Sequence, residues 1–238
     1  MRNPYRFPTL LVLLGSLASP SQAQVGERVP MGDWAIDRTE VTIGQFARFV
    51  QATGTVTRAE QAGGGQEYVG GWQQRPGWTW RAPDGQRDAD PRLPAVHVTQ
   101  AEARTYCRWA GGDLPSAQQW QTAAYTEQRI ASPAPFVRGR TYPWPTGPQP
   151  GGANTSGTDP WPRAAPAGAT QAGVNGLYDM GANAWEWVLD ARGSDHRTMG
   201  GSWWYGAGQM KADVEAWKPG DFTAVYIGFR CVYPVLPR

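Results

Sequence analysis

The sequence carries no surplus of charge of either sign, only two histidines and two cysteines, and no apolar run long enough to cross a bilayer. Each scarcity excludes something. Lysine and arginine number 22 against 20 aspartates and glutamates, so the clustered positive surface that a phosphate backbone requires is missing and no nucleic-acid partner is expected. The one sustained apolar stretch, Leu10 to Ala18, is too short for a membrane span and follows a basic start with Arg2 and Arg6. It reads as a signal peptide over residues 1–23, with Ser21 and Ala23 as the small residues ahead of cleavage before Gln24. Its removal brings the basic residues level with the 20 acidic ones. Residues 24–238 then form one domain with a single core, periplasmic or secreted.

Two histidines, His97 and His196, leave little for a two-histidine, one-carboxylate iron site, which would need both in one place. A histidine in an apolar run such as the one around His97 is more often a hydrogen-bonded core residue. In an exported chain Cys107 and Cys231 are most simply read as one disulfide, with two separate buried thiols as the alternative. What is abundant is glycine, proline and tryptophan, at 30, 21 and 13 residues. Such a chain makes many turns and short elements, with large rings packed among loops.

Three helix entries follow one rule, a Ser or Thr with Glu or Gln three residues later ahead of apolar residues at helical spacing. Thr42 with Gln45 precedes Phe46, Phe49 and Val50, and Gly54 is placed to end that helix. Thr99 with Glu102 precedes Ala103, Tyr106, Cys107 and Ala110, with Gly111 as the stop. Ser116 with Gln119 precedes Trp120, Ala123 and Ala124. Residues 55–95 show no sustained period and three tryptophans, which predicts a long ordered loop. Ala184 to Leu189, Gly201 to Tyr205 and Tyr226 to Tyr233 are the strand candidates.

The stretch Gly176-Leu177-Tyr178-Asp179-Met180-Gly181-Ala182-Asn183-Ala184-Trp185-Glu186-Trp187 resembles the signature of the formylglycine-generating enzyme and sulfatase-modifying-factor family. Further stretches resemble it in the right order: Val41-Thr42 through Gln45-Phe46, Pro94 through Thr99, Tyr106-Cys107-Arg108-Trp109-Ala110-Gly111, Tyr142-Pro143-Trp144, Gly200-Gly201-Ser202-Trp203, and Ile227-Gly228-Phe229-Arg230-Cys231. The resemblance covers nearly all of residues 32–234. It implies an α+β fold, a single compact domain that is a variant of the C-type lectin fold with much ordered loop. It also implies that Cys107 pairs with Cys231.

Two calcium sites are implied as well. One uses Asp179 and Glu186 side chains with carbonyls of Ala182 and Ala184, the other Asn154 and Asp159 side chains with carbonyls near Thr155 and Trp161; oxygen ligands of this kind suit a hard cation. Ala182 stands where the family commonly has glycine, which strains the expected turn. A capped turn beside a hydrogen-bonded carboxylate is the alternative for each set.

Formylglycine-generating enzymes hold copper with two cysteines beyond the Gly-Gly-Ser motif, because thiolates suit copper(I). Here those positions are Tyr205 and Met210, so formylglycine formation by that route is not expected and any redox metal is unknown. Ser202 lacks a nucleophile-elbow context and reads as a structural hydroxyl, and Asp213-Val214-Glu215 reads as a solvated loop. The surface that remains, Trp78, Trp80, Arg81, Ser202, Trp203, Trp204, Tyr205 and Trp217, would line the family's substrate groove. The expectation is oxidative maturation of a peptide-derived or protein substrate. The alternative is a lectin-like binding module without catalysis.

Overall fold

Four helices open on the same local device. A computed structural model describes residues 26–157 and 159–235; the expected signal peptide lies outside the described residues. In α1 (Ile43–Thr53) the Thr42 hydroxyl accepts from Gln45 N at 3.3 Å and the Gln45 side chain accepts from Thr42 N at 2.8 Å. These reciprocal bonds satisfy amides that a helix leaves free at its entry. Gly54, at φ 70°, ends the helix in the left-handed region that costs glycine little. The same box, Thr57 with Glu60, opens α2 (Arg58–Gln61), a single turn inside the stretch expected to be loop. Thr99 with Glu102 opens α3 (Gln100–Trp109), and Ser116 with Gln119 opens α4 (Ala117–Tyr125).

Strands are short, as the glycine and proline content requires. β1 (Arg28–Pro30) and β2 (Trp34–Asp37) pair antiparallel, and β2 pairs on its other side with β9 (Val232–Pro234). β3 (Gln66–Tyr68) and β4 (Trp72–Gln74) form a hairpin. The largest sheet runs β7-β6-β5-β8, with β5 (Trp185–Arg192), β6 (Asp195–Met199), β7 (Ala216–Pro219) and β8 (Ile227–Gly228); β8 joins β5 in parallel and the other pairs are antiparallel.

Two strand expectations need correction. Gly201 to Tyr205 is a turn: Gly201 sits at φ 84° and Tyr205 N donates to Ser202 O at 3.0 Å, which closes the backbone on itself. Tyr226 to Tyr233 is interrupted between β8 and β9, where Phe229, Arg230 and Cys231 leave the ladder to point into the interior. The 55–95 stretch is ordered as expected, but it carries α2 and the β3–β4 hairpin.

The main core is aromatic. Phe46, Phe49, Trp80, Tyr106 and Phe229 meet at centroid distances of 5.1–6.2 Å, mostly edge to face. The Cys107–Cys231 disulfide runs beside them, with its Cα atoms 5.4 Å apart, and ties α3 to the segment before β9. A second cluster under α4 packs Trp120, Leu177, Met180, Val188 and Met199. Among the described residues no helix is long and apolar enough to cross a membrane.

Candidate functional site

The family signature forms a buried turn with its own charge pair at the end. Asp179, Ala182 and Asn183 adopt φ values of 57°, 66° and 53°, so Ala182 takes the left-handed conformation in spite of its Cβ. Glu186, at the start of β5, accepts from Arg230 Nε at 2.8 and 2.9 Å, from Arg230 Nη2 at 2.7 Å and from Trp120 Nε1 at 2.7 Å. Asp179 accepts from Gly168 N and from the Thr170 hydroxyl. Burial pushes the Asp179 carboxyl above its usual range, against the pull of those two donors and of Arg230. Glu40 lies in the same interior and accepts from Asn183 Nδ2 at 2.6 Å and from Ala184 N at 3.0 Å. Its carboxyl is also driven upward, first by burial and then by the neighbouring charges of Asp179 and Glu186.

From this interior a chain of amides reaches the surface loops. Asn183 Oδ1 accepts from Asn154 Nδ2 at 2.9 Å and from Ala165 N at 2.8 Å, while Asn154 Nδ2 also donates to Arg163 O at 2.8 Å. The 154–165 loop is thereby fixed to the core. Asp159 folds this loop further, accepting from Thr155 N at 2.9 Å and Trp161 N at 3.1 Å. Asn154 Oδ1 is buried and has no partner among the described residues.

The two implied calcium sets therefore differ. At Asp179 and Glu186 the guanidinium of Arg230 already supplies the positive charge and lies against both Glu186 oxygens, so this arrangement does not suit a second cation. At Asn154 and Asp159, with the Thr155 and Trp161 backbone beside them, a buried oxygen is left over, and the donor set suits a hard cation.

Of the candidate groove residues the fold brings Trp78, Trp203 and Trp204 together. Trp203 stacks edge-on with Trp204 at 5.2 Å, and the Arg163 guanidinium lies 5.0 Å from the Trp78 ring centre and 5.6 Å from that of Trp203. An outer cleft of about 440 Å³ runs along Thr155, Ser156, Trp161, Trp203 and Trp204. Behind Trp203 lies a smaller cavity of about 200 Å³. Tyr205 borders this region, its ring between Trp185 and Tyr226 at 5.9 Å from each, and its carbonyl accepts from Ser156 N at 3.0 Å.

The other candidates lie elsewhere. Trp80 is in the aromatic core against Phe46 at 5.1 Å, and Arg81 covers its outer face at 4.0 Å while bonding Glu60 at 3.2 Å. Trp217 is on β7 under Arg192, and Ser202 is buried with its hydroxyl accepting from Trp204 N. Glu215 pairs with Arg197 at 3.4 Å. His97 is fully buried with φ 56°, not on a strand; Nε2 bonds Pro83 O at 2.8 Å and burial lowers its pKa to about 4, so it is neutral. Only a glycine fits at position 65, because a Cβ there would collide with the His97 ring. His196 stands apart on β6, its ring against Gly220.

Of the two positions at which the resemblance sets cysteines, Tyr205 is half-buried at the edge of the cleft and Met210 is packed inside. Met210 is fully buried at the end of a single 3-10 turn, Ala207–Met210, and its carbonyl accepts from Tyr125 OH at 2.7 Å. Both cysteines of the chain are in the disulfide, so no thiolate remains.

Pro162 and Arg163 were missed from the sequence, and Trp161 was read there only as a carbonyl for calcium, not as a wall of the groove. Arg163 Nη2 bonds buried Glu67 at 2.8 Å, and Arg75 Nε bonds the other Glu67 oxygen at 2.8 Å. Burial alone would raise the Glu67 carboxyl, but the two guanidinia outweigh it and hold it below the usual range. The only sequence signal is Trp-Pro-Arg within a proline-rich loop.

Comparison with known proteins points one way. The family described as sulfatase-modifying factor enzyme 1-like domain matches residues 8–235. The formylglycine-generating enzyme of Mycobacterium tuberculosis is 33% identical over 221 residues, covering 75% of this chain and 70% of that protein. The formylglycine-generating enzyme of Streptomyces coelicolor is 32% identical over 188 residues, 65% of this chain and 57% of that protein; the chain thus spans only part of such a relative. The structure is similar to that of PvdO from Pseudomonas aeruginosa, with a TM-score of 0.63 at 22% identity over 85% of this chain and 80% of that one. At that identity the likeness is one of fold, the α+β, C-type lectin-like architecture expected from the sequence.

Proposed function

We infer, from the premise that this chain belongs to the sulfatase-modifying-factor family, that it is an exported maturation factor. It receives a peptide-derived or protein substrate along the Trp161–Trp203–Trp204 cleft and modifies it oxidatively, by a route other than copper–cysteine formylglycine formation. One observation carries this reading: the groove is built and anchored to the core through Asn154 and Asn183, while Tyr205 and Met210 stand where the resemblance would set the two thiols. A disulfide that closes a 124-residue separation supports an oxidising compartment. Aromatic faces with ordered backbone between them suit an extended peptide-derived ligand.

Calcium is part of the same reading. Asn154, Asp159 and the carbonyls of Thr155 and Trp161 would hold it, and it would supply fixed positive charge that stiffens the loop bearing Trp161 to Arg163. Chelation followed by calcium addition tests this: the thermal midpoint falls and recovers, and Asn154→Ala removes the response. No change on chelation overturns it.

To test maturation, the purified protein is incubated with the exported peptide and metabolite fraction of cells that lack it. Oxygen uptake together with a mass change in one component, both lost in Trp204→Ala, is the expected result. The replaced thiol pair also favours a second reading, a lectin-like binding module. Retention of a component at unchanged mass, without oxygen uptake, would select that reading.

A further inference from the structure

The cavity behind Trp203 has an unusual combination of walls. Leu93, Pro94, Val96, Ala164 and Val225 make it apolar, yet two other residues of its lining, Trp203 and Arg163, each carry a buried hydrogen-bond donor without a partner among the described residues. One is the indole Nε1 of Trp203, a residue only 8% exposed; the other is Nη1 of Arg163. Buried donors of this kind are costly to leave unpaired, and an incoming acceptor is correspondingly favoured. Arg163 is also held ready. Its Nη2 is fixed by Glu67 at 2.8 Å and its guanidinium carbon lies within 5.6 Å of both the Trp78 and Trp203 ring centres, so little freedom is lost when Nη1 binds. Asp84 on the rim is engaged by Gln86 N and Nε2 at 3.2 and 3.0 Å.

We propose that this cavity is a specificity pocket for a compact apolar group carrying a carbonyl or carboxylate oxygen, with Arg163 Nη1 and Trp203 Nε1 as its donors. The cavity shares Trp203 and Pro162 with the outer cleft. A substrate lying along the cleft therefore turns one such group inward past Trp203. The volume of about 200 Å³ is adequate, since an apolar cavity of roughly 150 Å³ admits a benzene ring. This deepens the maturation reading by naming what its substrate presents, and rests on that cleft being the substrate's path.

The test uses phenylacetamide and phenylacetate as acceptor-bearing probes and ethylbenzene as the probe without an acceptor. Titration into the protein is followed by calorimetry in every variant and, where Trp203 is present, also through its indole N–H signal. Both acceptor probes are expected to shift it saturably and to bind about tenfold or more tightly than ethylbenzene. Arg163→Met, which keeps the stem and loses the donors, erases that preference, and Trp203→Phe, which keeps a ring, reduces it. Equal binding of all three probes, or a preference that survives in both variants, overturns the proposal, as does the lack of any saturable shift at millimolar probe. Stronger phenylacetate than phenylacetamide binding identifies a carboxylate; the reverse identifies an amide carbonyl. Probe binding in a protein that shows no maturation leaves the pocket standing while the maturation reading falls, and maturation without probe binding does the opposite.

Discussion

Arg230 and Arg163 each lean on a buried glutamate, and they are used in opposite ways. Arg230 is fully enclosed, and every nitrogen is engaged: Nε and Nη2 with Glu186, Nη1 with the carbonyls of Asp37 and Arg38 at 3.1 and 3.2 Å, and Nη2 also with Tyr178 O at 2.8 Å. It stitches four segments of chain together and has nothing left to give a ligand. Arg163 has 37% of its side chain exposed, lies near two tryptophan rings, and keeps Nη1 without a partner among the described residues. A fully engaged arginine holds a fold; one with a donor to spare, beside a cavity, is placed for recognition.

The comparison can be broken most directly at Arg230. Arg230→Met leaves Glu186 buried without its counter-charge, and chemical denaturation should show a loss of about 3–5 kcal/mol. A double variant with Glu186→Leu should recover part of it, because no lone charge is left inside; a single-variant loss below about 1 kcal/mol would place Arg230 among ordinary surface pairs. Next comes the disulfide beside it. Replacing Cys107 and Cys231 by serine should cost about 2–5 kcal/mol by the same measurement, since the unfolded chain regains the freedom of a long loop.

A third effect is of pH, and it comes from Asp37, whose backbone carbonyl Arg230 holds. Burial raises the Asp37 carboxyl from 3.8 to about 7, although Cys231 N–H, Tyr233 OH, Arg230 and Arg28 all pull it down. Below 3.8 both folded and unfolded chains carry the proton. Between 3.8 and about 7 the unfolded chain releases it and the folded one keeps it, so stability falls as pH rises across this window, by up to about 1.4 kcal/mol per pH unit. Thermal midpoints measured from pH 4 to 7 should decline in the wild type and decline less in Asp37→Asn. The smallest effect sharpens the other side of the comparison: Arg163→Met, at a half-open pair, should change stability by less than about 1 kcal/mol while removing the preference for acceptor-bearing ligands.

The parts of this molecule that were legible in the sequence are those decided locally. A capping box lies within four residues, and the boxes at Thr42, Thr99 and Ser116 open the expected helices. The identical box at Thr57 was passed over because its helix is one turn long and buries only Ala59, too little for a periodic pattern. The β6 strand reads Asp-His-Arg-Thr-Met, without the aromatic or alternating residues that announce a strand, since pairing on both sides holds it in the sheet. Trp203 was visible through its motif. Arg163 was not, because what defines it is contact with Glu67, Trp78 and Trp203, residues far from it along the chain. Trp80 and Trp217 were grouped with Trp203 by residue type, but the fold sends one to the core and the other to the edge strand β7, away from the turn that carries Trp203.

The pairing of β9 with β2, and of β8 with β5, sets an order of events in the life of the chain. Residues 227–234 leave the ribosome after every other strand they pair with, yet they complete both the sheet begun at Arg28 and the sheet begun at Trp185. Strand-by-strand folding from the N-terminal side is therefore not open to this domain: β2 keeps an unsatisfied edge, and Cys107 keeps a lone thiol, until Cys231 and the β9 strand have been made. A chain cut short before Cys231 would present that edge and that thiol together, a combination open to aggregation and to mispairing with other proteins.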